Sequence, residues 1–368
     1  MGRELASAAA RWNHLVGLDF RPEFVAACDT DPATLDRFAA SAPTARAYNR
    51  YQDLLNDPRV EAVYVAVPHD LHTEIYLAVL RAGKHLLGEK PFGIDLAANA
   101  RILDEALARP GQLVCCSSEF PFFPGAQMVF RAVREGKAGR ILDVRSGLLH
   151  SSDMDPLKRI NWKRTVRHNG RYGCMGDLGM HAVHLPLRCG FRALDVRALL
   201  TKVHHHRPDH AGAMVPCDTW DNAVLACSGI GPGDGEFPML FETKRLAPGH
   251  ANTWFISIDA TELSLRFSTR NPRTIETLPY SPNSPQARHV RDIGYESAYP
   301  AVTGGIFEFG FPDAIQQMLA AFCDELAHGR DGMRQPFYCA TPDETSRSHA
   351  LFDAALRSHE SRSVACIA

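Results

Sequence analysis

The stretch EAVYVAVPHDLHTEIYLAVLRAGKHLLGEKP, residues 61–91, decides the fold. AVYVAV is apolar without alternation, the pattern of a strand buried on both faces of a parallel sheet. HTEIYLAVLRAG has helical spacing and stops at Gly83, and KHLLGEKP is a second short apolar strand. Strand, helix and strand in this order predict a parallel pair joined by a crossover helix. Lys90, between Glu89 and Pro91, then stands at the C-terminal mouth of a parallel strand, where open α/β sheets place their ligands.

The alternation extends both ways. Upstream, residues 3–15 read as an alanine-rich amphipathic helix, and EFVAACD (23–29) is a short strand ending in an acid. In DPATLDRFAAS, Asp31 is the expected N-cap and Pro32 the first helical residue. Downstream come a helix, DLAANARILDEALARPG, and a strand, QLVCCSS. Residues 1–120 therefore predict a Rossmann-type, doubly wound parallel sheet. Beyond them the runs lengthen and partly alternate, as in GRILDVRSGLLHS, DNAVLACSGI and TWFISIDAT. Residues 121–368 are expected to form an α+β domain with a large, mostly antiparallel open sheet, one face covered by helices such as 125–135 and 176–188. A polar, proline-rich stretch at 271–300 reads as a long loop. Helices at about 312–328 and 342–358 close the chain, the last expected to pack back on the first domain.

Across 368 residues, 45% are hydrophobic and 22% charged, with a formal charge of −2. Nothing here points to nucleic acid or an anionic membrane as partner. No apolar run reaches the roughly 20 residues of a membrane span, and no secretory leader pattern is present. Ten cysteines show no C-x-x-C pair. The reading is a cytoplasmic enzyme with reduced thiols and no metal, the histidine run VHHHRPDH (203–210) being taken as solvated surface.

One element is expected and not found. A dinucleotide site of this kind begins with a strand and G-x-G-x-x-G ahead of a helix. Here the chain starts at that helix. Gly2 would be the last glycine of the turn, and Asp29 would meet a ribose hydroxyl, favouring NAD with NADP as the alternative. The reading adopted is a start placed too late, so that the first, central strand is lacking. The alternative is a re-paired sheet that has lost its nucleotide site.

These segments together resemble the Gfo/Idh/MocA oxidoreductases, the family of glucose–fructose oxidoreductase and inositol dehydrogenases. The marks are Pro68 closing a strand, His72 four positions on, Ala82 to His85, and Glu89, Lys90 and Pro91. A second mark is YGCMGDLGMHAVH, which supplies Asp177 and His181, and a third is NWKR with Trp162 and Lys163. The chain departs from the pattern at His184, where an acid is frequent, and at ATEL (260–263), where two glycines are gone. The resemblance implies hydride transfer between a nicotinamide and a secondary alcohol of a sugar or polyol, and a homodimer or homotetramer assembled through the C-terminal sheet. It further implies a cofactor site of Gly2, Asp29, Pro68, His72, Glu89, Lys90 and Pro91. By analogy, Trp162, Lys163, Tyr172 and Trp220 would line the substrate pocket.

Such chemistry needs a base for the hydroxyl proton and a cation near the developing alkoxide. Asp177 and His181, four apart, share a helix face, so the carboxylate is expected to orient the imidazole as proton acceptor. Lys90 is expected to polarise the oxygen, and with a depressed pKa to relay the proton. Two other readings remain open: a carbohydrate-binding or regulatory homologue without dinucleotide binding, and a redox-assisted lyase or glycosidase that recycles its NAD.

Overall fold

A computed structural model describes residues 1–42, 45–233 and 235–367. The chain opens with α1 (Gly2–Ala10), β1 (Ala26–Cys28), α2 (Pro32–Ser41), β2 (Arg46–Tyr48) and α3 (Tyr51–Leu55). The quoted stretch forms β3 (Ala62–Val65), α4 (His72–Arg81) and β4 (His85–Gly88), and α5 (Leu96–Leu107) and β5 (Val114–Cys116) continue the alternation. β3, β4 and β5 lie side by side and parallel, Val65 opposite Gly88 and Gly88 opposite Cys116. Local capping sets the helix starts: Asp31 accepts from the Ala33 amide at 3.2 Å, and Asp95 from that of Ala98 at 2.8 Å.

This Rossmann-type sheet stands in two groups. β1 and β2 pair only with each other, and neither joins β3–β5. Among the described residues, β1 and β3 each have one edge without a strand partner. This break lies where a doubly wound sheet has its central strand. Burial follows the break: β1 is half-buried throughout, whereas β5 is fully buried.

After α6 (Pro124–Arg134) the architecture changes. β6 (Ile141–Leu149), α7 (Val166–Asn169) and α8 (Cys174–Arg188) are followed by β7 (Arg192–Ala193), β8 (Asp195–Thr201), β9 (His206–Pro208) and β10 (Met214–Pro216). Then come β11 (Asn222–Ile230), β12 (Phe237–Lys244), β13 (Thr253–Ala260), β14 (Leu263–Ser268), β15 (Thr274–Pro279) and β16 (His289–Asp292). α9 (Phe311–His328), α10 (Pro342–Ser361) and β17 (Ala365–Cys366) end the chain. The ten-stranded sheet runs β16-β15-β14-β13-β6-β12-β11-β8-β17, with β7 also on β11. Only β6 and β12 pair in parallel, so the sheet is mixed with an antiparallel majority.

Two expectations change. The stretch 271–300 is not one loop: it holds β15 and β16, which extend the sheet edge. Its strand signal, RTIETLP, places Ile275 fully inside, but it is short and surrounded by turn residues. Part of the histidine run pairs as well, β9 lying antiparallel to β10.

α8 lies across the inner face of the large sheet, and the indole N–H of Trp254 on β13 donates to its His181 carbonyl at 2.8 Å. The closing helices cover the N-terminal unit. Gln316 on α9 donates to the Ala8 and Arg11 carbonyls at 3.2 and 2.7 Å, and Asn99 on α5 donates to the Thr345 hydroxyl of α10 at 3.1 Å.

Candidate active site

β4 ends at Gly88, and the next two residues turn inward from its C-terminal end. Glu89 is 5% exposed and accepts from the Tyr64 hydroxyl of β3. Lys90 reaches α8, donating to the Asp177 carboxylate at 3.0 Å and to the Asp177 carbonyl. The turn before α8 needs glycine at 173. Its φ is +59°, and a Cβ there would stand 2.6 Å from the Trp220 backbone nitrogen.

Asp177 is the hub. One carboxylate oxygen takes Lys90 at 3.0 Å and Lys163 at 2.9 Å; the other takes Arg245 at 3.1 Å. Three cations outweigh burial and hold its pKa well below the usual carboxylate range. Lys163 is presented by a short 3₁₀ turn capped by Asn161, whose side chain accepts the Lys163 amide at 3.0 Å. Arg245, just past β12, also donates to the Lys163 carbonyl at 3.1 Å and so ties that turn to the carboxylate. Arg164 beneath it pairs with Asp153 and Asp221.

Lys90 and Lys163 respond differently. Burial disfavours the Lys90 charge, but Asp177 and Glu89 outweigh it and raise its pKa. It stays an ammonium, which corrects the expectation of a depressed value. At Lys163 the pull of Asp177 is overcome by burial and by Lys90 and Arg245, and its pKa falls.

His181 is 4% exposed. The expected orienting carboxylate is not its partner, because both Asp177 oxygens face the cations. Nδ1 instead faces the Ser118 hydroxyl at 3.4 Å and the Glu119 carboxylate at 3.9 Å, both just past β5. Burial, reinforced by Lys90, drives its pKa well below the usual value and leaves the ring neutral. Glu119 moves the other way: burial and Glu89 raise it to about 7.

The structure brings Glu89, Lys90, Lys163, Asp177 and His181 into one cluster, in which Glu89, Asp177 and His181 are buried, Lys90 is nearly so and the Lys163 side chain is 40% exposed. It takes two residues out of the expected set. His72 is fully buried, with Nδ1 at 2.7 Å from the Pro91 carbonyl and Nε2 at 3.0 Å from that of Val67, so it braces two turns. Tyr172 is 2% exposed and packs on His349 and Phe352, turned into the interior by the closing helix rather than lining a pocket. Trp162 packs its ring edgewise on His69 at 4.8 Å, and Pro68 lies between β3 and the His69 turn. Asp29, past β1, accepts the Asp31 amide at 2.9 Å, and Gly2 opens on empty space at the start of α1.

Sequence reading missed Glu119, Ser118 and Arg245. Glu119 sits in EFPFFPG (119–125), which reads as hinge packing between the two domains rather than as a cofactor site. The available signal was an acid immediately after a buried strand's C-terminal end.

Comparison with known proteins converges on the same fold. Residues 2–117 match the family model GFO_IDH_MocA, described as an oxidoreductase family with an NAD-binding Rossmann fold. A 1-carboxy-3-chloro-3,4-dihydroxycyclohexa-1,5-diene dehydrogenase of Comamonas testosteroni is 32% identical over 129 residues, 35% of this chain and 32% of that protein. A levoglucosan dehydrogenase of Pseudarthrobacter phenanthrenivorans is 25% identical over 259 residues, 68% of this chain and 66% of that protein. The matches thus span about a third and just under two thirds of those relatives. The structure of levoglucosan dehydrogenase in complex with NADH superposes with a TM-score of 0.89 at 19% identity, covering 100% of this chain and 96% of that one.

Proposed function

We propose that this chain, whose residues 2–117 belong to the Gfo/Idh/MocA oxidoreductase family with its NAD-binding Rossmann fold, is an NAD-dependent dehydrogenase acting on a secondary alcohol of a sugar or polyol. The observation that carries the reading is the meeting of Lys90, from the C-terminal end of a parallel strand, with Asp177 one helical turn from His181.

The residues present suit a nicotinamide dinucleotide. The first turn of α1 opens on free space at Gly2, Asp29 stands past β1 for a ribose hydroxyl, and Glu89 is held by Tyr64 near Lys90. An acid at Asp29 favours NAD, since it repels a 2′-phosphate. The bound nicotinamide supplies the hydride acceptor. Lys90, permanently charged, donates to the substrate oxygen and stabilises the developing alkoxide. His181, neutral and held through Nδ1, takes the hydroxyl proton at Nε2, which has no protein partner among the described residues. Asp177 keeps three cations in place without itself titrating.

The broken parallel sheet supports a second reading, a carbohydrate-binding homologue without dinucleotide turnover. Assaying NAD reduction with a panel of sugars, anhydrosugars, inositols and cyclic dihydrodiols separates the two. NADH formation that is lost in Lys90→Ala supports the dehydrogenase. Sugar binding without any NADH formation supports the second reading and removes the first.

A further inference from the structure

We propose that Glu119 is the proton partner of His181: its Oε2 and the ring Nδ1 share one proton, which sets the tautomer that leaves Nε2 free to accept from the substrate. The proposal deepens the dehydrogenase reading and rests on it for the identity of the proton donor.

Three observations lead here. Glu119 is 2% exposed, and its Oε2 has no hydrogen-bond partner, although the neighbouring carboxylates of Asp177 and Glu89 are bonded. Leaving a buried acceptor unpaired costs about 1–3 kcal/mol, so an orphan oxygen aimed at a ring nitrogen calls for an explanation. That oxygen lies 3.9 Å from His181 Nδ1, longer than a hydrogen bond but of the kind that tightens when substrate closes a site. The ring cannot turn away freely, because the Phe120 ring meets it edge-on at 5.1 Å and Ser118 holds the same nitrogen at 3.4 Å.

The charges around Glu119 come from every neighbouring element. Glu89 and Lys90 project from the end of β4, Tyr64 from β3 and His181 from α8. Burial and Glu89 disfavour its ionised form, while a hydrogen bond from its own backbone amide and Lys90 favour it, and its pKa comes to about 7. Both protonation states are therefore populated near neutrality. The proton balance is simple. Nε2 receives the hydroxyl proton, Nδ1 gives its own to the Glu119 carboxylate, and the ring is neutral before and after.

The test uses the full chain with ¹⁵N-labelled histidine, followed across neutral pH in the wild type and in Glu119→Gln, with His181→Asn for assignment. The expected result is a His181 ring response centred near pH 7 in the wild type, without full protonation of the ring, and absent in Glu119→Gln. In turnover, kcat should rise with pH through the same range in the wild type. In the variant it should be at least about tenfold lower and flat, with KM and NADH affinity within about twofold. Glu119→Leu repeats the comparison if the glutamine variant fails to fold. Identical His181 titrations with and without the carboxyl would overturn the proposal. If no alcohol is oxidised at all, the dehydrogenase reading fails, and the ring titration still decides whether Glu119 and His181 share a proton.

Discussion

The two sheets of this molecule are built to different standards. The large sheet runs unbroken through nine consecutive strands, with β6 and β11 each spanning nine residues. The parallel strands are three or four residues long and stand in two groups. The first owes its stability to its own ladder. The second depends on what covers it: α9 lies against α1, α10 lies against α5, and Cys116 bridges to Ala340. The candidate site lies where the weaker unit delivers Lys90 and Glu119 to a helix held by the stronger one. A short strand suffices to aim a side chain once its far end is clamped from outside.

The comparison is broken most severely at Lys90. Lys90→Ala removes the cation delivered by the parallel unit and is expected to lower kcat by about 10²–10³, the loss typical of one preorganised charge donor. Steady-state kinetics on the best alcohol found would read it directly. Asp177→Asn acts on the other side of the contact. It leaves Lys90, Lys163 and Arg245 facing one another, and breaking a buried pair costs about 3–5 kcal/mol. Urea denaturation should show that loss at pH 7. The sign follows from its lowered pKa: the Asp177 contribution is present above the unfolded value near 4 and disappears as pH falls through the native one.

Glu119 titrates with the opposite sign. Its pKa is raised, so its contribution to stability is full below about 4.5 and is lost as pH rises through about 7. Glu119→Gln should therefore gain on the wild type above pH 8, by on the order of 3 kcal/mol for a shift of this size, and match it near pH 4. Thermal melts at the two pH values check this. Subtler still is hydrogen exchange. Amides of β1 and β3, next to the break, should exchange through local openings well below the global stability, while those of β6 and β12 need global unfolding. Equal protection in the two sheets would mean that the break has no energetic consequence.

Much of this was legible in the chain. The uniform apolar runs at 61–68 and 85–88 gave β3 and β4, because burial on both faces removes alternation. Asp31 and Pro32 marked the start of α2 by local capping alone. Lys90, Asp177 and His181 were found from short motifs, since a helix turn keeps residues four apart on one face. That spacing misled as to the partner, however. Asp177 and His181 share a face, yet the carboxylate is drawn away by Arg245, sixty-eight residues later in sequence. Glu119 and Arg245 were hidden for the same reason: neither carries a local signature, and only the packing of the Phe120–Phe122 turn after β5 and of β12 against α8 brings them in. β2, three residues long with Arg46 and Ala47 exposed, has too little apolar surface to be read as a strand.

The account as a whole rests on a nucleotide entering beside Lys90 despite the divided sheet. The most direct measurement is a titration of NADH into the folded chain, followed by nicotinamide fluorescence, with cooperative unfolding verified on the same sample. The account predicts saturable binding in the micromolar range, weakened in Asp29→Ala. A cooperatively folded chain that leaves NADH fluorescence unchanged would contradict it.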